Sequence, residues 1–213
     1  MPTGVPMRDV REQLFDAAER ILLRDGPNGL TSRAVTTEAG CAKGLLHKHF
    51  ADFDAFLLDL ILDRVARIGR QAEALRAAAG TGTVIGNLTA ALHELFGSIG
   101  MAMVSLLIAR DELRRRVRQA RMTGLPVLSE AGAMITSYLE AERELGRIPA
   151  GADLGTVAPM LMGVGHLAYA EQDAAAPSEE AVRRMVAAAL AGASAPLPDP
   201  STVDDSYLPS EAG

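Results

Sequence analysis

The sequence predicts an all-α chain: a small N-terminal three-helix head followed by a larger C-terminal helical body. Three observations carry this reading. Apolar residues recur three and four positions apart through most of the 213 residues, and no alternating strand pattern of useful length interrupts them. Trp is absent and aromatics make up only 4 %, so Leu, Ala, Val, Ile and nine Met must build the core, a composition that favours helix over sheet. Finally, two short helical patterns joined by a Gly-containing turn follow a longer one, which is a helix-turn-helix arrangement.

The elements follow in order. Val10, Leu14, Ala17, Ala18, Ile21 and Leu22 fall on one helical face, and Asp25-Gly26-Pro27 supplies the stop. Thr31 is a good N-cap for a short helix through Ala39, closed by Gly40. A second short helix is expected from Ala42 to Phe50. Asp52 caps a long third pattern (Phe53, Phe56, Leu57, Leu60, Ile61, Arg64, Val65, Ile68) that runs to Ala79. After the GTGTVIG break, helices are expected over 85–96, 99–109 and 113–145, the last kinked or split by Pro126. Pro149-Ala-Gly151 breaks the chain again before helices over 154–171 and 178–191. These patterns divide the chain into a head at 8–68, with the helix-turn-helix at 31–50, a body at 69–192 and a Pro/Ser/Asp-rich tail at 193–213 expected to be disordered.

Composition narrows the setting. A single cysteine, Cys41, leaves no internal disulfide and fits a reducing cytoplasm. The longest apolar run falls short of the ~20 residues of a membrane span, and no secretory leader is visible, so no membrane role is expected. The net charge of −6 argues against a polyanionic partner until its distribution is considered: residues 1–50 carry seven Lys/Arg against six Asp/Glu, and the acidity lies in the remainder.

The stretch CAKGLLHKHF, Cys41 to Phe50, decides the function. Leu46 and Phe50 share a face and join Val35 and Ala39 in the core. Lys43, Gly44, Leu45, His47, Lys48 and His49 are left on the remaining surface. That surface has cations near both ends, two imidazoles, an apolar tip and a glycine, and it suits the major groove of DNA. His47 and His49 stand i and i+2, about 200° apart on a helix, so they do not converge on a metal ion. Leu45 is placed to touch a thymine methyl. Cys41 at the turn reads as a small apolar residue, with a redox role as the sharper alternative.

TSRAVTTEAGCAKGLLHKHF resembles the DNA-binding signature of TetR-family transcriptional regulators. Thr31, Ala39-Gly40, Lys43-Gly44, Leu46 and Phe50 match the family pattern, and the resemblance is strong over Arg8 to Arg67. It implies a dimeric repressor that binds a pseudo-palindromic operator and is released by a small, largely apolar ligand. Thr31, Arg33, Lys43, Gly44, Leu45, His47, Lys48 and His49 are the implied DNA-facing residues. Three positions depart from the pattern. The usual Ser is Ala42, the usual Tyr is His47 and the usual Lys is Phe53. The departures imply a non-specific DNA affinity that is weaker, or through the imidazole more pH-sensitive, than the family's.

In the body, Phe96, Met101, Met134, Tyr138, Met162 and His166 are candidate walls of a ligand pocket, since Met side chains adapt to apolar guests. Core packing is the plainer reading of the same residues. By resemblance, the last two helices pair across a dimer, with Leu161, Gly165, Val182, Met185, Val186 and Ala189 as candidate interface. The plainer alternative is that this stripe covers its own domain. ARDELRRRVRQAR reads as a solvated helix face with Asp111–Arg115 and Glu112–Arg116 pairs, although Arg114, Arg118 and Arg121 are placed to meet an anion. No Ser/His/Asp or Cys/His set, metal-ligand cluster or phosphate loop is present, so no enzymatic role and no cofactor or metal is expected. The competing reading is a helical ligand-binding or protein-interaction module that has lost operator binding.

Overall fold

The computed structural model describes residues 7–194 except 98, 123 and 171–176; the expected disordered tail lies almost wholly outside them. Ten helices and no strand are found among the described residues. The head consists of α1 (Met7–Gly29), α2 (Ser32–Glu38), α3 (Leu45–His49) and the start of α4 (Phe53–Ala77). The body continues with α5 (Val84–Phe96), α6 (Gly100–Ala109), α7 (Asp111–Gln119), α8 (Pro126–Glu144), α9 (Leu154–Ala170) and α10 (Glu179–Ser194). The boundary expected at 68–69 falls inside α4, which is continuous and packs along α8.

Local chemistry accounts for most of the breaks. The stop at Asp25-Gly26-Pro27 is a kink rather than an end: Gly26 takes φ 69°, a left-handed conformation natural to glycine, and Pro27 opens one further turn. Thr31 caps α2 by accepting from the Ala34 amide at 3.1 Å. Asp52 caps α4 by accepting from the Ala55 amide at 2.7 Å. The 113–145 pattern is split, as expected from Pro126, which stands at the first turn of α8. Arg121 and Gly124, both with positive φ, turn the chain ahead of it.

The expected helix over 42–50 is shorter, with α3 holding five residues. Ala42 offers no side-chain oxygen for a cap, and Gly44 is a poor helix former, so the chain runs as a turn until Leu45.

A second correction concerns the candidate dimer residues. Leu161, Gly165, Val182, Val186 and Ala189 are buried within the chain's own body, and Met185 is half-buried. The cause is the packing of α10 against both α5 and α9. Gly165 permits close approach, but to Phe96: a Cβ there would lie 2.4 Å from the ring. That stripe lies mostly against the chain's own α5 and α9. The outward side of α9 instead exposes Met160, Val164 and Leu167, i, i+4 and i+7 on one face.

One buried polar node ties α5, α8 and the α4–α5 turn together. Tyr138 and Glu142 are both fully buried. Tyr138 donates to Glu142 at 2.5 Å and accepts from Asn87 at 2.9 Å. Glu142 also pairs with Arg147 at 3.2 Å and accepts from the Gly80 amide at 3.3 Å. Burial, then the hydrogen bond to Glu142, pushes the Tyr138 phenol above its ordinary value.

Candidate nucleic-acid interface

α3 cannot hold itself, because a helix far below ~12 residues is marginal in water. Tertiary anchors fix it. Leu46 is fully buried, and Phe50 sits in an aromatic cluster, 5.0 Å edge-on to Phe56 and 6.1 Å from Phe15. Arg11 covers the Phe50 ring at 4.6 Å while bonding Asp59 at 2.6 Å. The turn ahead of α3 is pinned by Gln13, which donates to the Ala39 carbonyl at 2.7 Å, and by the Cys41 amide, which donates to the Thr36 carbonyl at 2.9 Å. Gly40 takes φ 64° there. Cys41 is half-buried with its Sγ 3.5 Å from the Ala39 carbonyl, so it packs as a small residue of the turn.

With Leu46 and Phe50 turned inward, Arg33, Lys43, Gly44, His47 and Lys48 are exposed. Ser32, Arg33, Thr36, Lys43, Gly44 and His47 line a groove of about 450 Å³ between α2 and the start of α3. Gly44 has ordinary φ, and a Cβ there would meet nothing within 4 Å, so its contribution is a bare, approachable backbone. Thr31 and Arg33 extend the surface along a second groove beside α2. The nearest acid on α2, Glu38, is turned to α1, bonding Arg20 at 2.9 Å and Arg24 at 3.1 Å. Those bonds hold its carboxyl below the ordinary range. Leu45 and His49 are half-buried, so they present less surface than the sequence expectation gave them.

Phe53, the position of the third departure, has a visible use. Its ring stacks on Phe56 at 5.7 Å and carries the Arg110 guanidinium 5.4 Å above it. Arg110 also donates to the Leu30 carbonyl at 2.6 Å. On α7, Arg116 grips the capping residue Asp52 with two bonds of 2.9 Å. Sequence reading missed both of these links between head and body. Their only signal was an arginine-rich helix, and pairing 64 residues apart is not legible from i, i+4 spacing. Within α7, the Glu112–Arg116 pair forms at 3.0 Å, but Asp111 pairs with Arg114 rather than Arg115. Arg114 also donates to the Leu107 and Ile108 carbonyls, closing the end of α6.

Of the candidate ligand walls, Phe96 stacks on Tyr169 at 5.6 Å beneath Gly165, Tyr138 belongs to the Glu142 node, and Met101, Met162 and His166 are half-buried. Met134 alone of the six lines a groove of about 650 Å³ between α4 and α5.

Residues 14–60 match the model of the bacterial regulatory proteins, tetR family. The head is therefore of the TetR type. The chain's fold is shared with a TetR-family member from Streptomyces coelicolor A3, at 25 % identity and TM-score 0.59, covering 86 % of this chain and 98 % of that one. The reduced form of NemR from E. coli is similar at 17 % identity and TM-score 0.65, covering 85 % and 95 %. FadR from Bacillus subtilis, solved in complex with stearoyl-CoA, is similar at 18 % identity and TM-score 0.56, covering 84 % and 95 %. No curated protein matches the chain. Among the described residues, no single helix is long and apolar enough to cross a membrane.

Proposed function

We propose that the chain is a cytoplasmic transcriptional repressor that binds a pseudo-palindromic operator as a dimer and is released by a small ligand in its body. The observation that carries the reading is the groove of Arg33, Lys43, Gly44 and His47, unopposed by Glu38 and backed by buried Leu46 and Phe50. Lys43 and Lys48 neutralise phosphates, His47 and Arg33 border the groove, and Thr31 lies near the backbone path. Leu45 and His49 touch DNA only at its margin.

A single head this small and weakly charged binds poorly, so two copies are needed. The exposed Met160, Val164 and Leu167 face supports a second copy docked on α9. Half-sites would then stand about one helical turn apart, or a multiple of it. Leu167→Glu should halve the mass seen by light scattering.

Selection of fragments from a random DNA pool tests the reading. An enriched palindrome supports it; no enrichment at low salt sinks it. Lys48→Ala should weaken all sequences alike and reduce the salt slope by roughly one. A second reading, a ligand-binding module without operator affinity, is favoured by Phe53, whose ring is committed to Arg110 where the family pattern places a cation. Absence of enrichment would select it.

A further inference from the structure

The groove between α4 and α5 has two unlike ends. Toward the head it is lined by Arg64, Arg67 and Arg70, with Gln71 beside them. Toward the far end it is lined by Ala74, Leu75, Ala78, Ala90 and Ala91, with Met134 among its walls and Asn87, its amide turned to Tyr138 and the Thr81 carbonyl, as the one polar residue there. Its wall residues on α4, from Arg64 to Ala78, extend about 21 Å at 1.5 Å per residue. Glu94 is its one acidic wall residue and accepts from Gln71 at 2.6 Å, so the wall carries a net charge of +2 in a chain of −6. An apolar guest would leave that charge facing it; an anion would meet it.

The three arginines differ in their commitments. Arg70 is exposed and makes no ion pair among the described residues. Arg64 is 6 % exposed. Arg67 bonds Asp63 on its own helix through Nε at 2.8 Å. Its two terminal nitrogens stand 3.9 Å from Asp16 and 4.0 Å from Glu19 of α1, beyond hydrogen-bond length. Burial pushes the Glu19 carboxyl up, against the opposing pull of Arg67 and then Arg64. Arg67 thus spans the seam between the head and the groove, held to α1 by loose attraction.

We propose that this groove takes an organic anion with an aliphatic body, whose head is bound by Arg64, Arg67 and Arg70 in competition with Asp16 and Glu19 of α1. The tail lies along the alanine-lined end against Met134. Occupation draws Arg67 from α1 and loosens the seating of the DNA-reading head. This deepens, and rests on, the reading of the body as a ligand sensor, and it replaces the largely apolar ligand expected from sequence.

The test uses decanoate and its neutral counterpart decanol, titrated into the full chain by calorimetry. Decanoate should bind at least about tenfold more tightly than decanol, since each charge-assisted hydrogen bond is worth about 1.4 kcal/mol or more. Arg70→Ala should weaken decanoate about tenfold with an unchanged melting temperature, because Arg70 is exposed and makes no ion pair among the described residues. Glu19→Gln should tighten decanoate several-fold by removing the competitor. Equal affinity for decanol, no decanoate binding, or indifference to either substitution would overturn the proposal. The titrations contain no DNA, so they can fail while operator selection succeeds, and the reverse.

Discussion

Leu46 and His47 are neighbours on a five-residue helix, and substituting each should have opposite consequences. Leu46 is fully buried under the head, packed with Val35, Phe50 and their neighbours. Leu46→Ala removes its branched methyls and leaves a cavity, a change that costs about 2–5 kcal/mol in buried sites. Taking about 3 kcal/mol, and about 2–4 °C per kcal/mol for a chain of this size, the melting temperature should fall by roughly 6–12 °C. Few other contacts hold α3, so its undocking should dominate the loss. DNA affinity should fall with the docked fraction, and amide exchange at Lys48 and Phe50 should speed up. His47 is exposed on the groove, so His47→Ala should stay within about 0.5 kcal/mol in stability while weakening DNA roughly tenfold. Thermal melts and fluorescence anisotropy on labelled operator read both quantities. If Leu46→Ala moved the melting point by less than about 2 °C, or if His47→Ala cost as much stability as Leu46→Ala, the division between anchor and reader would be wrong.

Gly165→Ala pushes a Cβ into the Phe96 ring and should cost about 1–3 kcal/mol, a drop of about 2–12 °C, whereas Gly163→Ala meets nothing within 4 Å and should be neutral or slightly stabilising in thermal melts. Tyr138→Phe leaves Glu142 with Arg147 and the Gly80 amide, and leaves Asn87 with the Thr81 carbonyl, so a loss near 1 kcal/mol is expected by denaturant titration. The hydrogen bonds from Arg116 and from the Ala55 amide hold the Asp52 carboxyl below its ordinary value of 3.8. A carboxyl depressed in the folded state stabilises above its unfolded value and loses that contribution as pH falls through the folded one. The melting-point gap between the native chain and Arg116→Ala should therefore be flat from neutral pH to about 5 and shrink below about 4.

The head was legible because its signals are short-range. Thr31 capping three residues on, Asp52 doing the same, and Leu46 and Phe50 one turn apart are all contained within single elements. The five-residue α3 was misjudged where a local rule was available: Gly44 and an uncapped Ala42 cannot start a helix early. The body was less legible because its meaning lies in long-range pairing. Val182, Val186 and Ala189 form a good apolar stripe either way, and nothing within α10 says whether α5 or another copy covers it. Likewise, Met and aromatic residues mark a core as readily as a pocket. The groove that does form is walled by arginine and alanine, residues that a search for apolar walls passes over.

The departures from the family pattern and the arginines fit one physical scheme. Phe53 stands where the family pattern places a lysine, and its ring receives Arg110 from the start of α7. Asp52, next to it, receives Arg116. These contacts bind the head to the body at α7, with the Asp52 carboxylate fully used. At the other side of the head, Arg67 faces α1 at 3.9–4.0 Å without a hydrogen bond. Of these two polar attachments, one is short and bidentate and the other long and electrostatic, while α1 also packs on α6 and Arg110 also bonds the Leu30 carbonyl. A ligand shifts an equilibrium only through its differential affinity for the two states, and the loose attachment is the one that an anion in the α4–α5 groove can outcompete. The head would then pivot on the Asp52–Arg116 side. Cutting that side with Arg116→Ala should blunt the response of DNA affinity to decanoate even though Arg116 lines no part of the groove. An undiminished response in that variant would mean that the shift travels along α4 alone.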